Sequence, residues 1–211
     1  MHKVFISYHH KNDQWAQEEL SRWGTQNVAF IDSSVQLGDI DDNLSSEAIR
    51  RIIRDSHLRD STVTILLVGT ETRFRKHVDW ELKSSMINGS LNKRSGLLVV
   101  NLPSTNCTNF RAAHDNEKSL LYPECKSWTS IKIRADLEDR YYHLPARIMD
   151  NLMKPDVRIS ITSWDHLVAN PSALPILIEN AHNARLDNEY DLSRKMRRAN
   201  HNPYSQRPLR I

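Results

Sequence analysis

The stretch Lys3-Val-Phe-Ile-Ser-Tyr-His-His10 decides how the rest of the chain is read. An apolar run stops abruptly in polar residues, and an amphipathic helical pattern follows at once. Asn12 or Asp13 is placed to cap that helix, Trp15, Leu20 and Trp23 supply its apolar positions, and Gly24 is expected to end it. In open α/β sheets, ligands bind where the C-terminal ends of parallel strands meet the loops leading into helices. Ser7, Tyr8, His9 and His10 are thus hydrogen-bonding groups at such an edge.

Working outward, Val28–Ile31 reads as a second strand that stops at Asp32, and a polar loop with a single glycine, Gly38, follows to Asp42. A second helix is expected from Leu44 to Asp55, with Ala48, Ile49, Ile52 and Ile53 as its apolar face. Thr62-Val-Thr-Ile-Leu-Leu-Val68 is almost wholly apolar, as in a central parallel strand covered on both faces. Gly69-Thr70 turns the chain into a third helix over 75–88, and Gly96–Leu102 is a fourth strand. Strand and helix alternate with short links, which predicts an α/β fold with a mostly parallel central sheet and right-handed crossovers.

After Pro103 the pattern weakens. Residues 104–124 read as a polar, Asn-rich surface loop in which Asp115 and Glu117 are solvated. Ser130–Ile133 is a candidate short strand, Leu144–Met153 a helix, Val157–Thr162 an edge strand and Ala173–Leu186 a helix. The organisation expected is a core over 1–103, an insertion and C-terminal extension packed on it over 104–192, and a basic, flexible tail over 193–211.

Composition excludes several classes. Of the 211 residues, 39% are hydrophobic and 26% charged, a balance that supports a packed core and argues against disorder or a fibre. A formal charge of +3 is too small to mark a nucleic-acid binder. Cys107 and Cys125 make no disulfide framework and no Cys-x-x-Cys pair. The N-terminus has no leader pattern and no apolar run could span a bilayer, so a soluble, cytoplasmic protein is expected. The ten histidines show no metal-ligating spacing, and only five glycines are present, with no dinucleotide or P-loop signature.

Chemistry is expected to gather around Glu81. In the third helix Val78, Leu82, Ser85 and Met86 recur at helical spacing as the buried stripe, and Glu81 falls at its border. There a carboxylate can accept hydrogen bonds from a bound hydroxyl, or simply be a boundary acid near a helix N-terminus. Trp80 projects away from the stripe. His9 and His10 either orient a phosphate or ribose or form an exposed loop pair.

Taken together, Lys3–Tyr8, Phe30-Ile-Asp32 with Leu37-Gly38-Asp39-Ile40, the strand Val63–Val68 and the glutamate helix resemble a TIR domain, and more specifically the TIR-like proteins of the bacterial anti-phage Thoeris ThsB family. The resemblance covers residues 3–102 and implies a flavodoxin-like three-layer sandwich. It implies an enzyme that cleaves NAD, releases nicotinamide and makes a cyclic or conjugated ADP-ribose signal. NAD is then substrate, and no resident cofactor or metal is expected. By position Glu81 matches the family's catalytic glutamate, and Ser7, Tyr8, His9, His10, Asp32, Ile40 and His77 are the matching substrate-binding positions. His77 stands where the family often has tryptophan. The partners implied are a signal-responsive effector of the same defence system, a phage-derived trigger and further copies of the chain, without membrane or nucleic acid. The rival reading is a non-enzymatic assembly module, because fold alone does not fix function. A flavodoxin-like nucleotide or phosphate binder is a third.

Overall fold

A computed structural model describes residues 1–26, 30–32, 44–58, 60–89 and 93–200. Its centre is one sheet in the order β2-β1-β3-β4-β5, from β1 (His2–Ser7), β2 (Phe30–Asp32), β3 (Val63–Val68), β4 (Gly96–Asn101) and β5 (Ser160–Ser163). Every pairing is parallel. β3 and β4 are buried at every position, which is why their sequences are continuous apolar runs rather than alternating ones.

Side-chain parity along the strands sorts the core into layers. Val4, Ile6, Ile65 and Leu67 pack against α1 (His10–Gln26) and α8 (Ala173–Ala184) on one face. Leu66, Val68, Leu97 and Val99 pack against α3 (Lys76–Met86) and α6 (Ala146–Leu152) on the other. Phe5, on that second face, joins Ile49, Ile53 and Trp80 in a third cluster, beneath α2 (Ser46–Ile52) and the π-helical turn Ile53–His57. The structure is thus the expected flavodoxin-like three-layer α/β sandwich. No helix among the described residues is long and apolar enough to cross a membrane.

Several local expectations are corrected. α1 runs past Gly24 to Gln26. Gly24 is required by close packing instead, since a Cβ there would lie 2.6 Å from the Phe30 ring. Ser130–Ile133 forms no ladder, and the fifth strand is the later edge segment at 160–163. The expected solvated insertion is anchored. Glu117, in α4 (Asp115–Leu120), is fully buried and accepts from Ser160 Oγ at 2.8 Å, Asn180 Nδ2 at 3.0 Å and the Ala113 amide at 2.9 Å.

Residues 193–200, the start of the expected basic tail, form a strap over the outer side of α3. Met196 is buried in the Phe5–Trp80 cluster, and the Lys76 amide donates to Asn200 Oδ1 at 2.9 Å. Residues 201–211 lie outside the described residues.

Candidate active site

β1 is flanked by β2 on one side and β3 on the other, so the connections that follow β1 and β3 run in opposite directions and their C-terminal ends form the sheet's topological switch point, where ligands bind in open α/β folds. Ser7 is the last residue of β1, paired in register with Leu66. It shares parity with Phe5 and so faces α3. There Ser7 Oγ donates to Glu81 Oε2 at 2.5 Å. Glu81 is 2% exposed and Ser7 is fully buried. Burial pushes the Glu81 carboxyl up to about 8, against the opposing effect of the Ser7 hydrogen bond. Sequence placed Glu81 on the border of a stripe. In fact α3 is enclosed nearly all round by sheet, α2, α6 and strap, so its border residues are interior ones.

The same enclosure explains Trp80, expected to project outward and found 1% exposed. Its indole Nε1 donates to the Arg197 carbonyl at 2.6 Å. Beside it, Asp79 accepts both nitrogens of a bidentate fork from Arg147, at 2.9 and 3.0 Å, and the Arg197 amide at 2.8 Å. Arg147 also donates to the carbonyls of Arg194 and Lys195. The Asp79–Arg147 pair thereby ties α3, α6 and the strap together directly behind Glu81.

Tyr8 follows Ser7 but turns to the α1 face. Its hydroxyl donates to Gln14 Oε1 at 2.6 Å, and its ring stacks on His10 at 4.4 Å. Burial first, then the charges of Glu81 and Asp32, push the Tyr8 phenol up to about 12, so it remains a neutral donor. His9 precedes α1 and its carbonyl accepts the amides of Asn12 and Asp13. Burial and the nearby Arg75 guanidinium push the His9 imidazole down to about 4, and its Nδ1 is buried without a hydrogen-bond partner among the described residues.

Asp32 is not brought to this carboxylate. It pairs in register with Val4, which has the opposite parity to Ser7, so it faces α1. There it accepts from Gln17 Nε2 at 2.9 Å and from Ser21 Oγ. His77 lies one turn before Glu81 on α3, edge-on to Trp80 at 4.9 Å. Ile40 lies outside the described residues.

Sequence reasoning missed a clasp between the end of β3 and α1. Thr72 Oγ1 accepts from the Gly69 amide at 2.9 Å and donates to Asp13 Oδ2 at 3.2 Å, joining the end of β3 to α1. A Cβ on Gly69 would lie 2.4 Å from that carboxylate, so only glycine allows the approach. Burial pushes the Asp13 carboxyl up to about 6, above the ordinary value. The usable signal was Gly69-x-x-Thr72 directly after an apolar strand, with Asp13 read only as a cap.

Residues 5–107 match the family model described as Thoeris protein ThsB, TIR-like domain. The chain carries a ThsB-family TIR-like domain. The matched span contains the end of β1, β2 to β4, α3 and both Ser7 and Glu81. No curated protein and no solved structure matches the chain. The match supports a role in Thoeris defence, and it ends well before β5, α6 and the strap that complete the sheet and brace the glutamate helix.

Proposed function

We propose that this ThsB-type domain cleaves the nicotinamide–ribose bond of NAD at Glu81 and passes the ADP-ribosyl group to an acceptor as a defence signal. The observation that carries this reading is the hydrogen-bonded pair Ser7–Glu81, buried at the switch point of a parallel sheet in a TIR-like domain. A buried carboxyl with a strongly raised proton affinity is costly for folding and is characteristic of sites where chemistry is done.

The chemistry suits a single carboxylate. Nicotinamide in NAD is a cationic leaving group that departs neutral, so no acid is needed to protonate it. The ribose left behind develops oxocarbenium character, which an adjacent carboxylate stabilises. Ser7 holds one Glu81 oxygen in place, leaving the carboxylate oriented rather than free to rotate. Tyr8 remains un-ionised over the working pH range and adds no competing negative charge. Glu81, Ser7 and Tyr8 are almost entirely shielded from water, so substrate entry requires movement of neighbouring side chains, with His10 the exposed member of the group. That opening lowers apparent affinity by the fraction of molecules closed.

Incubation of the purified protein with NAD, alone and in lysate from phage-infected cells, followed by mass spectrometry, tests the reading. Nicotinamide together with a cyclic or conjugated ADP-ribose is expected. Intact NAD under both conditions would refute it, and free ADP-ribose as the sole product would refute the signalling part.

A further inference from the structure

A cavity of about 640 Å³ lies beyond the β5 edge and shares no residue with the Ser7–Glu81 pair. Three strand steps separate β1 from β5, about 14 Å across the sheet at the usual spacing. The walls are the segment 110–113, which bridges β5 through Arg111 and Ile161, the segment 127–132, α5 (Arg134–Arg140) and the end of α6. Its volume falls within the range of small-molecule sites.

The charge of the lining is one-sided. Arg111, Lys118, Lys132, Arg140 and Lys154 line it, and among the described residues no aspartate or glutamate does. Only Lys118 among them has an ion-pair partner within the described residues, Asp115 at 2.9 Å, whose carboxylate is almost fully in solvent and so neutralises little. Arg111 is held in place by donating to the Ile159 carbonyl at 3.0 Å, and burial lowers its proton affinity, so a bound anion would relieve the cost of its charge. Arg140 contributes a buried Nε with no hydrogen-bond partner among the described residues. Five cations that converge without a carboxylate among them make an anion site, and arginine forks fit phosphate oxygens in particular.

Part of the remaining wall is aromatic. Phe110 stacks on Tyr122 at 3.9 Å, Trp128 meets Phe110 edge-on at 5.9 Å, and Trp128 remains 39% exposed. Tyr141 completes the aromatic lining, its hydroxyl donating to the Phe110 carbonyl at 2.9 Å. An exposed indole beside unpaired cations offers a stacking surface for a planar ring.

We propose that this cleft binds a free nucleotide, with its phosphates among Arg111, Lys132, Arg140 and Lys154 and its base against Trp128. Bounded volume favours a single nucleotide over a strand, and a formal charge of +3 supplies no field to gather a polyanion. The assignment is independent of NAD cleavage.

The test is isothermal titration of ADP into the full-length protein in the Glu81→Gln background, where NAD chemistry is disabled. A Kd of about 100 µM or tighter is expected, with adenosine and inorganic phosphate each at least about tenfold weaker. Lys132→Ala combined with Lys154→Ala, both on the rim, should weaken ADP by about tenfold or more, and Trp128→Ala should do so separately. Tyr8→Phe should leave the affinity unchanged. Absence of binding at millimolar ADP, equal affinity in both cleft variants, loss on Tyr8→Phe, or tighter binding of a single-stranded oligonucleotide than of ADP would each overturn the proposal.

Discussion

At the residue scale, the account turns on one proton. Glu81 is raised from 4.5 to about 8, so between those values the unfolded chain has released the proton that the folded chain keeps. Stability attributable to this group therefore falls as pH rises through that window, by a total on the order of 5 kcal/mol. Glu81→Gln should remove that slope. Urea unfolding should show parent and variant close at pH 4.5, and the variant several kcal/mol more stable at pH 8. The same proton governs rate, because only the carboxylate stabilises an oxocarbenium. NAD cleavage, measured as kcat/KM, should rise with pH to an apparent pKa near 8, while kcat titrates lower because bound cationic nicotinamide favours the carboxylate. A profile that falls from pH 6 to 9 would contradict this. Ser7→Ala removes a hydrogen bond that favours the charged form, so the kcat/KM profile should move up by about one unit, costing about tenfold at pH 7. Position along the helix made Glu81 legible in the sequence. Its depth was not, since burial depends on what packs outside α3. Asp32 shows the converse, for its strand end was legible but its side of the sheet depended on register with Val4.

At the scale of elements, α3 is the piece that must not move, and its bracing comes from far along the chain. Arg147 is 1% exposed and spends its fork on Asp79. Arg147→Ala leaves Asp79 buried without its cation and should cost about 3–5 kcal/mol in chemical denaturation. Nicotinamide release should fall with it if the strap positions Glu81. Trp80 was misread for the same reason, because helical periodicity describes one buried face and this helix has several. Strands β1, β3 and β4 were readable from their apolar runs, and β5 from its alternation. Gly24 was taken for a helix end because the Phe30 ring it accommodates comes from another element. Gly24→Ala should destabilise the protein by about 1–3 kcal/mol by overpacking against that ring.

For the whole molecule, the order β2-β1-β3-β4-β5 places the switch point at β1 and β3, where Ser7 and the Asp13–Thr72–Gly69 clasp stand. Alternation of strands and helices was enough to foresee a mostly parallel sheet with right-handed crossovers, though not this strand order. It did not foresee that the second half of the chain anchors its insertion through buried Glu117 and returns as a strap over the glutamate helix. Those contacts are long-range and polar, and leave no periodic trace. Release of nicotinamide from NAD by the full-length protein, set beside Glu81→Gln under identical conditions and with the variant's fold confirmed, examines the central claim most directly. The account predicts release by the parent and a loss of about a hundredfold or more in the variant. Equal release by both would contradict it.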